Sequence, residues 1–174
     1  QRFVGLDVQV YTEASIRYST VYDSNRIGDI KYTMCCFNSS TTLSKQDLAV
    51  LVELRRHLRC MLHLSSVQGD ITLNIVLTPF LKKVSFEKDA SIGPKNVNSG
   101  STSYFHHNYN STITLWRREE IVKVLVHELI HALKIDFKTY PKSLDDLVCR
   151  YTCVDSKKHV LLFEAYTELW AVVF

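Results

Sequence analysis

Residues 121–135, Ile-Val-Lys-Val-Leu-Val-His-Glu-Leu-Ile-His-Ala-Leu-Lys-Ile, set two histidines and a glutamate inside an otherwise almost wholly apolar segment. Val122, Val124, Leu125, Val126, Leu129, Ile130, Leu133 and Ile135 leave no continuous polar face. The spacing predicts a central helix buried nearly all round. In such a helix His127, Glu128 and His131 are costly unless paired or metal-bound. Together they read HExxH. Four residues make about one helical turn, about 6 Å along the axis, so both imidazoles share a face and can grip one cation. The glutamate beside the first histidine is then placed to act as general base on a water at that cation. Chance produces this pattern in about one chain in a hundred with seven His and eight Glu, so the rest of the sequence has to supply a third ligand.

A catalytic zinc ion takes three protein ligands and keeps a fourth position open. The extended pattern HExxHxxGxxH fails here, because Lys134 and Phe137 stand where a glycine and a histidine are needed. Asp136 falls one residue short of that ligand position and is retained only as a supporting acid. Glu164 and Glu168 offer a better route, four residues apart in Phe-Glu-Ala-Tyr-Thr-Glu-Leu-Trp. Leu161, Leu162, Phe163, Ala165, Leu169 and Trp170 leave that helix little room for a wet face, so two carboxylates there call for a compensating cation. Glu164 as ligand, with Glu168 accepting the free ring N–H of His127, is the preferred arrangement. The variant has Glu168 as ligand and Glu164 in support. His159, His106 and His107 are competing ligands, whereas His57 and His63 read as structural.

The bulk numbers set the class. At 174 residues the chain is one domain with room for a core. Its 46% hydrophobic and 22% charged content is ordinary for a globular protein. A net charge of +3 argues for neither nucleic acid nor an anionic membrane surface. No apolar run reaches the roughly 18 residues needed to span a bilayer. Five cysteines without CxxC pairs fit neither a disulfide framework nor a zinc finger and favour a reduced, intracellular setting. Cys149 and Cys153 could meet on a helix as a disulfide or metal pair, or be ordinary buried residues. Asn38 and Asn110 begin glycosylation sequons, which matter only in a secreted protein.

Along the chain, residues 1–40 read as β-rich, with strands over Arg2–Val10, Ile16–Tyr22 and Ile30–Phe37. Turn chemistry over Asp23–Asp29 suggests an antiparallel meander. Residues 43–174 read as the catalytic core. Ser44 and Asp47 look like the cap of a helix whose apolar stripe is Leu48, Leu51, Val52, Leu54, Leu58, Met61 and Leu62. Glu53, Arg55, Arg56 and Arg59 lie opposite, as a solvated face. A buried strand over Ile71–Leu77 follows, then an irregular stretch with an edge strand near Val97–Tyr104, and a strand over Thr112–Trp116. Arg117–Glu120 opens the HExxH helix. A short helix over Ser143–Arg150 and a final one over Lys158–Phe174 complete an α+β chain.

The HExxH helix followed by a glutamate helix resembles the zincin metallopeptidases of the gluzincin branch. That resemblance implies a mixed β-sheet backed by helices, one Zn2+ per chain, His127, His131 and Glu164 as ligands, Glu128 as general base and Glu168 as the acid supporting a ligand histidine. Asp is commoner at that last position. The stretches 118–136 and 164–171 are also similar to metallopeptidase-like proteins of large DNA viruses. The expected activity is peptide-bond hydrolysis by activated water. The partner is a peptide or protein substrate laid as an added strand along an edge that includes Asn98, Ser99 and Gly100. Tyr140, Tyr166 and His159 are candidates to stabilise the oxyanion. The alternatives are a non-catalytic zinc-stabilised binding domain and a metal-free interaction protein with an incidental HExxH.

Overall fold

The computed structural model describes residues 4–65, 67–82, 98–104, 110–135, 142–152 and 162–174. A five-stranded mixed sheet organises the chain, in the order β1-β2-β3-β5-β4. β1 (Tyr18–Ile27) and β2 (Ile30–Asn38) form an antiparallel hairpin. Helix α2 (Lys45–Leu64) then carries the chain over to β3 (Gly69–Thr78), parallel to β2. β5 (Ser111–Arg117) runs parallel to β3, and β4 (Gly100–Tyr104) closes the sheet antiparallel to β5. The expected antiparallel meander is therefore a single hairpin followed by a helical crossover. The α+β class holds.

The turn expected over Asp23–Asp29 contracts to Gly28 and Asp29, because β1 pairs through Ile27 with Ile30. Gly28 takes φ 56°, the left-handed conformation a tight hairpin needs. The polar run stays in the strand because most of β1 is exposed. On the core-facing side buried Tyr32 donates to Asp23 at 2.8 Å, and on the other side the Ser24 and Thr33 hydroxyls lie 3.2 Å apart.

Residues Leu6–Ser15 form helix α1, not part of a strand over Arg2–Val10. Of its apolar residues Leu6, Val8 and Val10, only Val8 is buried. It anchors α1 on Val76 and Trp116, on one face of the sheet. The opposite face holds the main core, where Ile71, Leu73, Ile75, Ile113 and Leu115 meet α2 and the HExxH helix. Ser44 and Asp47 do form a capping box on α2. The buried stripe is Leu51, Leu54, Leu58, Met61 and Leu62, while Leu48 and Val52 lie largely in solvent.

Arg117 ends β5 instead of opening the next helix, and α3 runs Ile121–Ala132 after a left-handed Glu120. Helices α4 (Lys142–Thr152) and α5 (Leu162–Val173) follow, and α5 packs on α3. Residues 158–161 of the expected final helix lie outside the described residues. None of the described helices is long and apolar enough to cross a membrane.

Candidate metal centre

Helices α3 and α5 meet along two narrow stripes. On α3 the stripe is Lys123, His127 and His131, one residue per turn. On α5 it is Glu164, Thr167, Glu168 and Ala171, spaced as one helical face, with Thr167 and Ala171 buried. Glu168 meets Lys123 and His127, while Glu164 meets His127 and His131, so the two helices run antiparallel where they touch.

Glu164 Oε2 lies 3.4 Å from His127 Nε2 and 3.6 Å from His131 Nε2, and the two ring nitrogens are 3.2 Å apart. The centre of this near-equilateral triangle is about 2.0 Å from each corner, within the range of zinc–imidazole and zinc–carboxylate bonds. Edges of about 3.4 Å are also those of a tetrahedron built on such bonds. Two lone-pair nitrogens and a carboxylate oxygen repel at this range unless a proton or cation lies among them. His127, His131 and Glu164 are thus a group that could hold a metal ion. Their chemistry suits zinc, which accepts nitrogen and oxygen donors together.

His127 is oriented by Glu168, whose Oε2 lies 3.2 Å from Nδ1. A carboxylate there holds the ring proton on Nδ1 and leaves Nε2 as the lone pair facing Glu164 and His131. The other Glu168 oxygen is paired with Lys123. Burial pushes the Glu168 carboxyl up, but the bond and charge of Lys123, and then His127, outweigh it and hold the group below the ordinary range. The Glu168 partnership raises Lys123 in turn. Both Glu168 oxygens are thus engaged, and Glu164 is the carboxylate that joins the two ring nitrogens in the group that could hold a metal.

The glutamates are not enclosed by apolar neighbours as the sequence suggested. Their side chains are 42% and 50% exposed, and Leu169 is 62% exposed. What gathers them is the stripe made with Thr167 and Ala171.

Glu128 lies against strand β4 at the sheet edge, only 8% exposed, and within electrostatic reach of His127, His131 and Glu164. Thr102 Oγ1 donates to Glu128 Oε2 at 2.6 Å and lies 3.1 Å from the Glu128 carbonyl oxygen. Burial is the largest influence on this carboxyl and pushes it up, against the Thr102 bond and the His127 and His131 charges. Gly100 leaves the space that Glu128 fills: a Cβ there would stand 3.0 Å from Glu128 Cγ and Oε1, and 2.7 Å from Val124 Cγ1.

Strand β4 forms one edge of the sheet. Trp116 N–H donates to the Ser99 carbonyl at 3.0 Å, which sets the phase of the antiparallel ladder. Ser101 and Ser103 then bond to β5, and Gly100 and Thr102 turn their main-chain N–H and C=O groups to the outer edge, which no described strand covers. Of the three residues expected on this edge, Gly100 lies in it. Asn98 and Ser99 precede the strand. The Asn98 carbonyl accepts from Trp116 Nε1 at 3.0 Å and Arg117 Nε at 3.3 Å, and Ser99 is buried. Buried Arg117 also donates to the Leu81 carbonyl, so it fastens the chain on both sides of residues 83–97.

Tyr166 packs edge-on to Trp170, on a different side of α5 from Glu164 and Glu168. His57 lies on α2, its Nδ1 2.9 Å from the Glu53 carbonyl, and His63 ends that helix. Asp136, Tyr140, His106, His107, His159 and Cys153 lie outside the described residues, and the side chain of Cys149 is not described. Cys35, Cys36 and Cys60 are free thiols, and burial pushes that of Cys36 up to about 11. Asn38, the first sequon, has a buried amide nitrogen.

Two residues of this site were missed in the sequence. Lys123 was detectable, because it lies one turn before His127 on the same face. Thr102 gives no local signal, since only the fold brings it to Glu128. No protein-family model, curated protein or solved structure matches the chain.

Proposed function

We propose that this chain is a zinc-dependent metallopeptidase of the gluzincin kind. The observation that carries the reading is the donor triangle of His127, His131 and Glu164 beside a buried glutamate at a sheet edge. When bound, zinc would supply Lewis acidity, polarising a carbonyl and bringing the pKa of water toward neutrality. Glu128 takes a proton from the attacking water and returns it to the leaving amine. Its burial supports this role, because a carboxyl pushed up from the ordinary range is a better base near neutral pH. Glu168 holds the His127 ring, and Lys123 holds Glu168. An extended peptide adds to the outer edge of β4 through the amides and carbonyls of Gly100 and Thr102.

The test is Glu128→Gln in the zinc-loaded chain, assayed on a peptide library. Full metal content with hydrolysis lowered at least about a hundredfold is the expected outcome. Retained turnover removes Glu128 from the chemistry, and a zinc-loaded wild-type chain that cleaves nothing leaves a zinc-stabilised binding domain.

A further inference from the structure

The edge strand does more than offer amides. Gly100 and Thr102 lie two residues apart on β4, so their side-chain positions share the face turned to α3. The Glu128 carboxylate sits against both: Oε1 lies over Gly100, and Oε2 accepts from Thr102 at 2.6 Å. Thr102 has one hydroxyl proton, and the shorter of its two contacts is with the carboxylate. This engages one Glu128 oxygen and restricts rotation of the carboxylate, leaving Oε1 to take a proton. The main-chain groups of Thr102 meanwhile face the outer edge, which no described strand covers. One residue thus touches the glutamate with its side chain and borders the strand-addition edge with its backbone.

We propose that Thr102 is a positioning residue for Glu128, tying the orientation of the general base to the strand that takes the substrate. This rests on the peptidase reading. The hydroxyl is replaced in Thr102→Val, which keeps the shape, and its donor is kept in Thr102→Ser. Kinetics use the zinc-loaded full chain and a fluorogenic peptide that the wild type cleaves.

In Thr102→Val, kcat is expected to fall about tenfold to a hundredfold, the range of losing one hydrogen bond to a charged group. KM and zinc content stay close to wild type, and Thr102→Ser recovers most of kcat. In the metal-free chain, the Glu128 carboxylate stretch, isolated by subtracting the Glu128→Gln infrared spectrum, shifts in Thr102→Val alone. Wild-type kcat in Thr102→Val, an equal loss in Thr102→Ser, or an unshifted band overturns the proposal while leaving the peptidase reading intact. If Thr102→Val and Thr102→Ala both fail to fold, the residue is structural and the proposal falls. A wild-type chain without hydrolysis overturns both.

Discussion

Gly100→Ala isolates the contact between the edge strand and the HExxH helix. The added methyl carbon would lie 2.7 Å from Val124 Cγ1 and 3.0 Å from Glu128 Cγ and Oε1. Carbon atoms pack at about 3.5–4.0 Å, so α3 or β4 has to withdraw by most of an ångström. Overpacking of this kind costs about 1–3 kcal/mol. Gly100 has no positive φ, so alanine fits its backbone and returns about 0.4–1 kcal/mol through the unfolded chain. The net loss is about 1–2 kcal/mol, or about 2–8 °C in Tm for a domain of this size. Thermal and urea denaturation of the metal-free chain measure it, with an unchanged urea slope showing that the folded state stays compact. A Tm equal to or above wild type would mean that β4 is not pressed against α3 as described.

Three further outcomes rest on other contacts of the fold. Glu168→Gln weakens the acceptor for His127 Nδ1 and removes a negative charge near the site, so zinc affinity by chelator competition should fall about tenfold to a hundredfold; unchanged affinity would remove Glu168 from the centre. Asp47 is pushed up by burial but held below its ordinary 3.8 by Ser44 and Arg118, so its stabilisation is present above 3.8 and lost as pH falls through the lower folded value. Asp47→Ala should cost about 1 kcal/mol at neutral pH, with the gap from wild type narrowing below 3.8; a gap independent of pH contradicts this. Gly28 has open space but a φ of 56°, so Gly28→Ala should lower Tm more than Gly28→Asn, because asparagine tolerates the left-handed conformation; equal Tm values would show that the turn relaxes.

What could be read from the chain was what repeats at a fixed period. The α2 stripe, the buried Ile71–Leu77 strand and the HExxH helix each announce themselves through local patterning, and the structure places them close to those bounds. Glu164 and Glu168 were legible for the same reason, being one turn apart. The errors fell where tertiary contacts override local pattern. Helix α1 rests on Val8 packing against Trp116, a contact more than a hundred residues away in sequence. β1 keeps its polar residues in a strand because β2 pairs with them. Thr102 meets Glu128 only because β4 pairs with β5 and lies against α3.

The most direct measurement is elemental analysis of the wild-type chain and Glu164→Ala, each zinc-loaded and then freed of loosely held metal by gel filtration. One zinc per wild-type chain, with most of it lost from Glu164→Ala, is the expected result. A wild-type chain that retains no metal, or a Glu164→Ala chain that keeps it all, contradicts the centre built from His127, His131 and Glu164.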